Sequence, residues 1–500
     1  MDASCCRLHT LALLPAAAFL LVLAGCKPVG PNYTQPQITA PAAYKETGST
    51  AVQLTPPAIP TDGGWQKASP TDAADRGKWW LVFADPQLNQ LEDRIATGNQ
   101  ALRAAMENYQ AARSLVRSAH AAALPTVSAG PGITGYKYGA NNQSYSSART
   151  YPRTDYNLEA AASWEPDLWG QVRRSVESAQ ATADSRAALA ASVALTLQGE
   201  LATDYYTLRG LDAEQRMLTA TVAQLERQLA LTETRLAGGV GTAADVAQAR
   251  TQLETVRAQV VEVGVTRAQN EHAIAALCGL KPSELSIPAS PLDAAPALAL
   301  PKIPVGLPSE ILERRPDIAN AERSVAAANA QIGIAQSAFY PNITLSAAGG
   351  FDSMHGGTLF QGPSTLWSLG ASAAQLLFDG GRRHAITDEA RHSYEASAAT
   401  YRDTVLSAFA DVENQLSTLR ILEQESEVEA RAVASAQHSL DLAQTRYKGG
   451  VATYLEVITA ETALLTNQRT AIDLESRRFT ASVSLIRALG GGWDRSQIPH

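Results

Sequence analysis

The sequence predicts a mainly α-helical protein with a small β part. Long antiparallel coiled-coil helices form an α-barrel tunnel, joined to four strands that enter a trimeric, twelve-stranded transmembrane β-barrel. Three observations predict it: the chain repeats itself, its apolar residues follow a heptad, and two stretches that follow prolines alternate apolar and polar side chains. Each element is taken in chain order.

Residues 1–25 read as a signal peptide. Arg7 precedes an apolar run, Leu11 to Leu23, that is too short for a membrane helix, which needs about 20 residues. The run ends Leu23-Ala24-Gly25-Cys26, which resembles the lipobox of bacterial lipoproteins. Cleavage before Cys26 makes it the mature N-terminus, and its several acyl chains suffice for stable anchoring where a single chain is marginal. Lys27 follows where an aspartate commonly retains a lipoprotein at the inner membrane, so the resemblance implies the outer membrane. Residues 26–85 are then a lipid-anchored, proline-rich extended tether and equatorial region.

Five hundred residues, 45% hydrophobic and 18% charged, are ample for one or two large cores, and the net charge of −8 offers no basic footprint for nucleic acid. Of four cysteines, only Cys26 and Cys278 outlast processing; with Cys26 acylated no disulfide can form within the chain, and Cys278 reads as a small buried residue. No run of about 18 apolar residues follows Cys26, so any crossing of a membrane must use strands.

The first repeat covers 86–280 and the second 309–490, with a proline-rich equatorial linker at 281–308 and a tail at 491–500. "RLAGGVGTAADVAQARTQL" from Arg235 aligns with "RYKGGVATYLEVITAETAL" from Arg446, and the alignment runs without a gap to Gly279 and Gly490. In the first repeat a helix over 99–122 stops before Pro125, a β-hairpin spans about 124–168, a long helix 171–238, and a return helix 243–280. The second repeat matches it with a helix at 316–338, a hairpin at about 341–378, a long helix at 382–448 and a return helix at 453–489.

Leu218, Val222, Leu225, Leu229, Thr232 and Leu236 step by fours and threes, as do Val246, Ala249, Leu253, Val256, Val260 and Val263, and both series recur in the second repeat. Such strict seams joined by a tight turn mean antiparallel coiled coils. Gly238-Gly239 and Gly449-Gly450 supply left-handed caps, while Thr242 with Asp245 and Thr453 with Glu456 are capping boxes for the return helices. A long helix extends about 100 Å at 1.5 Å per residue. A return helix is far shorter, and the lengths pair 243–280 with 316–338 and 453–489 with 99–122 as end-to-end stacks. In the hairpins, Tyr156, Leu158, Ala160, Ala162 and Trp164 alternate with Asp155, Asn157, Glu159, Ala161 and Ser163, and Ile343, Leu345 and Ala347 with Thr344, Ser346 and Ala348. Four strands cannot close, because transmembrane barrels begin at about 8. Three chains would supply twelve strands around a wet lumen.

No Walker A sequence, His-Glu-x-x-His motif or metal-spaced cysteine pair is present, and nothing in the sequence points to catalysis, a cofactor or a metal. Arg173-Arg174 and Arg382-Arg383 fit equally a role against lipid phosphate and a role as solvated charges at helix starts.

"VGPNYTQP", "WWLVFADPQLNQL" from Trp79, "ERRPDIANAERSVAAANAQIGIAQSAFYPNITLSAAGG" from Glu313 and "RYKGGVATYLEV" from Arg446 together resemble the TolC-type outer membrane factors, in their NodT/OprM-like efflux lipoprotein branch. The resemblance covers essentially the whole mature chain. It implies a homotrimeric channel, passing small molecules outward, that docks with a periplasmic membrane-fusion adaptor and an inner-membrane efflux transporter. The tips are the expected adaptor contacts: Arg235, Gly238, Gly239, Val240, Thr242 and Asp245 in one, and Arg446, Gly449, Gly450, Val451, Thr453 and Glu456 in the other. Some relatives carry an acidic residue at the second tip that rings the closed entrance; Ala452 stands there in this sequence, so no such ring carries over. Two other functions fit the same fold signals: the exit channel of a type I protein secretion system, and a poreless periplasmic coiled-coil scaffold.

If Cys26 is the acylation site, Cys26→Ser abolishes metabolic labelling with a radioactive fatty acid. Unchanged labelling of the substituted protein would refute the lipobox.

Overall fold

Capping side chains and glycines set the borders of the helices. The structure, a computed structural model, describes residues 27–41, 43–48, 77–137, 139, 151–290, 292, 300–301, 303 and 311–492. Cys26 and most of the first hairpin's loop lie outside the described residues. Helix α1 (Pro86–Gly98) starts at Asp85, whose carboxylate accepts from Gln87 N and Leu88 N at 2.8 and 3.2 Å, with Pro86 at the first helical position. Helix α2 (Gln100–Ala121) follows, then strands β1 (Thr126–Tyr136) and β2 (Arg153–Trp164), the long α3 (Gln171–Ala237) and the return α4 (Ala243–Leu277). The second repeat supplies α5 (Pro316–Ser337), β3 (Asn342–Ser353), β4 (Thr365–Ala374), the long α6 (Arg382–Lys448) and α7 (Tyr454–Ala488). The described residues also hold short helices at Lys45–Gly48 and Ile311–Arg314 and several 3-10 turns, among them Trp79–Phe83; like α1, they have no counterpart in the sequence reading.

The chain divides into two compact units, each drawing on both repeats. The first comprises residues up to Pro36, Tyr109–Ser185 and Ala321–Tyr401. Its four strands form one antiparallel sheet in the order β1-β2-β3-β4, so β1 and β4 are edges. An extended strap, residues 27–36, lies along its helices. Val29 N donates to Trp169 O at 2.9 Å, the Arg174 guanidinium donates to Val29 O, Gly30 O and Asn32 Oδ1, Asn329 donates to Pro31 O, and Tyr33 donates to Glu322 Oε1 at 2.7 Å. Gly30, at φ +95°, and Gly333 let strap and α5 approach, since a Cβ on Gly30 would strike the Gly333 Cα.

The strap contacts settle the paired arginines. Arg174 is buried and spent on the strap, Arg173 bonds Asp167 at 3.1 Å, and Arg383 bonds Asp379 at 2.7 Å. Asp167 and Asp379 also cap α3 and α6 by accepting from Val172 N and Arg383 N. Arg382 and, despite its ion pair, Arg173 stay exposed, while Arg174 is buried and Arg383 partly so.

The second unit comprises Gln37–Asn108, Arg186–Asn320 and the chain from Arg402 onward. The heptad residues are its seams. Leu218, Leu225, Leu253, Val256, Val263 and Leu465 form one buried cluster, and Ala249, Leu440, Tyr447, Tyr454, Val457 and Leu464 another, so helices of both repeats share a core. A polar staple fixes the linker after α4: Asp212 accepts from Arg209, Arg267 and Ser290 N, and Arg267 also donates to Ile287 O.

The end-to-end stacking exists, with the partners exchanged relative to the length argument. The end of α4 meets the start of α2: Asn99 Nδ2 donates to Leu277 O at 2.9 Å, and Gly279, at φ +70°, presses against Gly98. The end of α7 meets the start of α5: Arg315 Nη1 donates to Ala488 O at 3.0 Å, and Gly490, at φ +93°, presses against the Arg314 carbonyl. Free carbonyls at one helix end attract donors at the next helix's start, and that contact decides the pairing. Length could not, because either pairing gives similar sums.

Two carboxyls are buried in this unit with oxygens that no donor satisfies. Glu461 on α7 is 2% exposed; Gln224 Nε2 reaches one oxygen at 3.3 Å and the other has no partner, and burial pushes its pKa up to about 7. Glu92 on α1 has neither oxygen paired, and burial, helped by Asp93, pushes its pKa up to about 9. Each raised carboxyl keeps its proton in the folded chain where the unfolded chain has lost it.

Two predictions follow from the joints and the buried carboxyls. Gly279→Ala forces a side chain into the left-handed region and into the Gly98 carbonyl, and should destabilise by about 2–4 kcal/mol; an unchanged melting temperature by circular dichroism would contradict the joint. For Glu461, stability falls as pH rises from the ordinary carboxyl range to about 7 and stays lower above it, by at most about 3 kcal/mol. Glu461→Gln should therefore raise the melting temperature at pH 8 more than at pH 5, narrowing the pH dependence without abolishing it while Glu92 remains; equal shifts at both pH values would show Glu461 ionised throughout.

Candidate functional site

The hairpin ends of the second unit hold all the site residues read from the sequence apart from Cys26. At the first tip Gly239 takes φ +73°, and Gly238 N, Gly239 N and Val240 N donate to Thr234 O, Leu236 O and Arg235 O, each at 3.0 Å. Thr242 then caps α4: Asp245 N donates to Thr242 Oγ1 at 3.2 Å and Thr242 N to Asp245 Oδ2 at 3.0 Å. The second tip repeats the pattern. Gly450 has φ +76°, and Gly449 N, Gly450 N and Val451 N donate to Thr445 O, Tyr447 O and Arg446 O. Its capping box is looser: Thr453 N reaches Glu456 Oε1 at 3.4 Å, and Glu456 N donates to the Thr453 carbonyl at 3.2 Å. Glu456 also meets Arg446 at 3.1 Å, tying the two arms of that hairpin.

Arg235 joins one tip to the other. Its Nη1 donates to Lys448 O at 3.3 Å, and its guanidinium lies 4.7 Å from the centre of the Tyr447 ring, a cation–π contact. Tyr447 in turn packs on Tyr454 with ring centres 5.3 Å apart. The structure thus brings together Arg235, Arg446, Glu456 and both glycine turns, and leaves Val240 and Val451 about 70% exposed, at 68% and 70%. Sequence reading missed Tyr454 as the floor of this end. Its signal was its place directly after the cap Thr453, opposite Tyr447 of the seam.

Beside the first tip an open groove of about 770 Å³ runs along α4, floored by Ala243, Ala247 and Thr251 and edged by Arg250 and Glu254. Small side chains there allow another helix to approach closely.

In the first unit the sheet has two chemically distinct faces. The register puts Leu158 beside Phe351, Ala160 beside Gly349, Gly349 beside Trp367 and Ala347 beside Leu369. On β1, Val127 and Ile133 share that apolar face. Val127, Ile133, Trp367 and Leu369 are each more than 70% exposed on the single chain. The other face carries Thr126, Ser128, Thr134, Asn157, Ser163, Thr344, Ser346 and Ser368. Among the described residues no helix is long and apolar enough to cross a membrane.

The family described as outer membrane efflux protein matches residues 91–280 and 307–491. The chain is 33% identical over 444 residues to the pyoverdine export outer membrane protein OpmQ of Pseudomonas aeruginosa, covering 87% of this chain and 92% of that protein. It is 31% identical over 485 residues to the probable efflux pump outer membrane protein TtgC of Pseudomonas putida, covering 97% and 96%. Its fold is similar to that of the outer-membrane channel OprN, with a TM-score of 0.83 at 29% identity over 93% of this chain and 99% of the other. Two glycine-turned coiled-coil hairpins, a two-faced sheet with free edges and these likenesses converge: the chain belongs to the outer membrane efflux protein family and is an outer-membrane channel component of an efflux pump.

Proposed function

We propose that three copies of the chain close their sheets into one twelve-stranded barrel, and that the resulting duct passes small molecules outward from a periplasmic adaptor and an inner-membrane transporter. The observation that carries this reading is the sheet. Its apolar face is bare, its opposite face is polar, and β1 and β4 each leave one row of backbone groups for a neighbouring copy. Passage is passive in this reading: the chain's part is to supply a wet, continuous route. Relatives named for pyoverdine export and for toluene efflux favour small molecules over secreted proteins as cargo. Acylation at Cys26 would hold each copy to the outer-membrane lipid beside its strap.

The adaptor is proposed to dock at the hairpin ends. Val240 and Val451 stand out on glycine turns, and the groove on α4 begins at Ala243. The clasp of Arg235 on Tyr447 and Lys448 holds both tips as one surface. Arg235 therefore acts by positioning.

This assembly predicts a trimer by light scattering of the purified protein. It also predicts that cysteines introduced by Val240→Cys or Val451→Cys cross-link to the adaptor in cells, while Leu225→Cys, buried in the seam, does not. A monomer would overturn the barrel. Cross-linking at mid-helix positions with none at the tips would move the adaptor to the side of the tunnel.

A further inference from the structure

The four strands carry charged side chains only at Arg153, Asp155, Glu159 and Asp352. All four lie on the polar face: Thr134 stands opposite Asp155, Tyr136 opposite Arg153, and Asn157 opposite Asp352. Three carboxylates thus face one guanidinium. Arg153, Asp155 and Asp352 gather toward the loop end of the hairpins, where Asp155 and Asp352 share a hydrogen bond across the strands and Arg153 reaches Met354 Sδ at 3.5 Å.

Glu159 lies deeper on the same face, with Asp352 as its diagonal neighbour at about 7 Å. Its cross-strand neighbours are Gly130 on one side and Gly350 on the other. Neither has a side chain to cover or neutralise it. Arg153 is six positions along the same strand, about 20 Å away at roughly 3.3 Å per residue, well beyond a Debye length of about 8 Å in physiological salt. Arg153 therefore does not neutralise Glu159, which is the acid nearest the middle of the polar face.

We propose that the strand lumen selects for cations and that Glu159 is the residue that sets this preference. The proposal rests on the trimeric barrel put forward above, in which symmetry places three Glu159 carboxylates at one level of the lumen. A ring of like charge inside a low-dielectric wall focuses its field on the axis, drawing in cations and cationic amphiphiles and slowing anions.

Ser128 lies on the same face, exposed, opposite Ala161 and so diagonal to Glu159 at about 7 Å. The test uses Ser128→Cys in the full-length protein in native outer membranes, treated from outside with cationic and with anionic methanethiosulfonate reagents in about 10 mM salt. Cys278 is 2% exposed and offers no competing thiol. The cationic reagent should react faster, and adding Glu159→Gln should lower the cation-to-anion rate ratio about fivefold. Glu159→Asp should preserve it. A ratio unmoved by Glu159→Gln overturns the proposal and leaves the wet lumen standing. A thiol at that site inert to both reagents, with Val127→Cys reactive instead, would invert the faces and overturn the barrel reading, and the proposal with it.

Discussion

A strand at the edge of a sheet has backbone donors and acceptors with no partner, and lipid supplies none. That constraint governs the rest of the molecule. Leu158, Phe351, Trp367 and Leu369 make one face fit for hydrocarbon, yet a sheet that ends at β1 and β4 cannot stay there alone. In the proposed barrel, neighbouring copies supply the partners that β1 and β4 lack. Trp169 shows how tightly the two hairpins are tied at their base: its indole donates to Pro341 O at 2.7 Å and stacks on Tyr340.

The helical part answers a different demand, which is to enclose water with few residues. Heptad seams let helices meet along narrow stripes, leaving other faces free for neighbours. Each repeat supplies one unbroken long helix, and the matching shorter ones meet at joints where an amide or guanidinium caps exposed carbonyls. The two joints differ in chemistry. Gly98 and Gly279 meet backbone to backbone, whereas the second joint uses Arg315, which also bonds Asp317 and Asp411. Duplication preserved the geometry and let the chemistry diverge.

Much of this was legible in the sequence because local rules wrote it. Leu218 to Val263 and their counterparts follow a period that only a coiled coil explains, glycine pairs mark the turns, and the alternation around Leu158 fixes a strand with two faces. What stayed hidden was non-local. The joint of α4 with α2 depends on Asn99 finding Leu277 O, a contact no period announces. Glu461 and its partner Gln224 lie 237 positions apart, so its burial beside Tyr454 shows only in the fold. Arg174 looked like a free cation because its partners, Val29, Gly30 and Asn32, are far away in the chain.

That strap has a consequence in time. Residues 27–36 are made early, but the groove that receives them is built from Trp169, Arg174, Glu322, Asn329 and Tyr401, which emerge long afterwards. The closure between Tyr33 and Glu322 spans 289 positions, and that between Gln35 and Tyr401 spans 366. Contacts so distant form late in folding. Until they form, Arg174 is a guanidinium without its carbonyls. The segment synthesised first is thus among the last to be seated, and its seating reports that both halves of the chain have arrived.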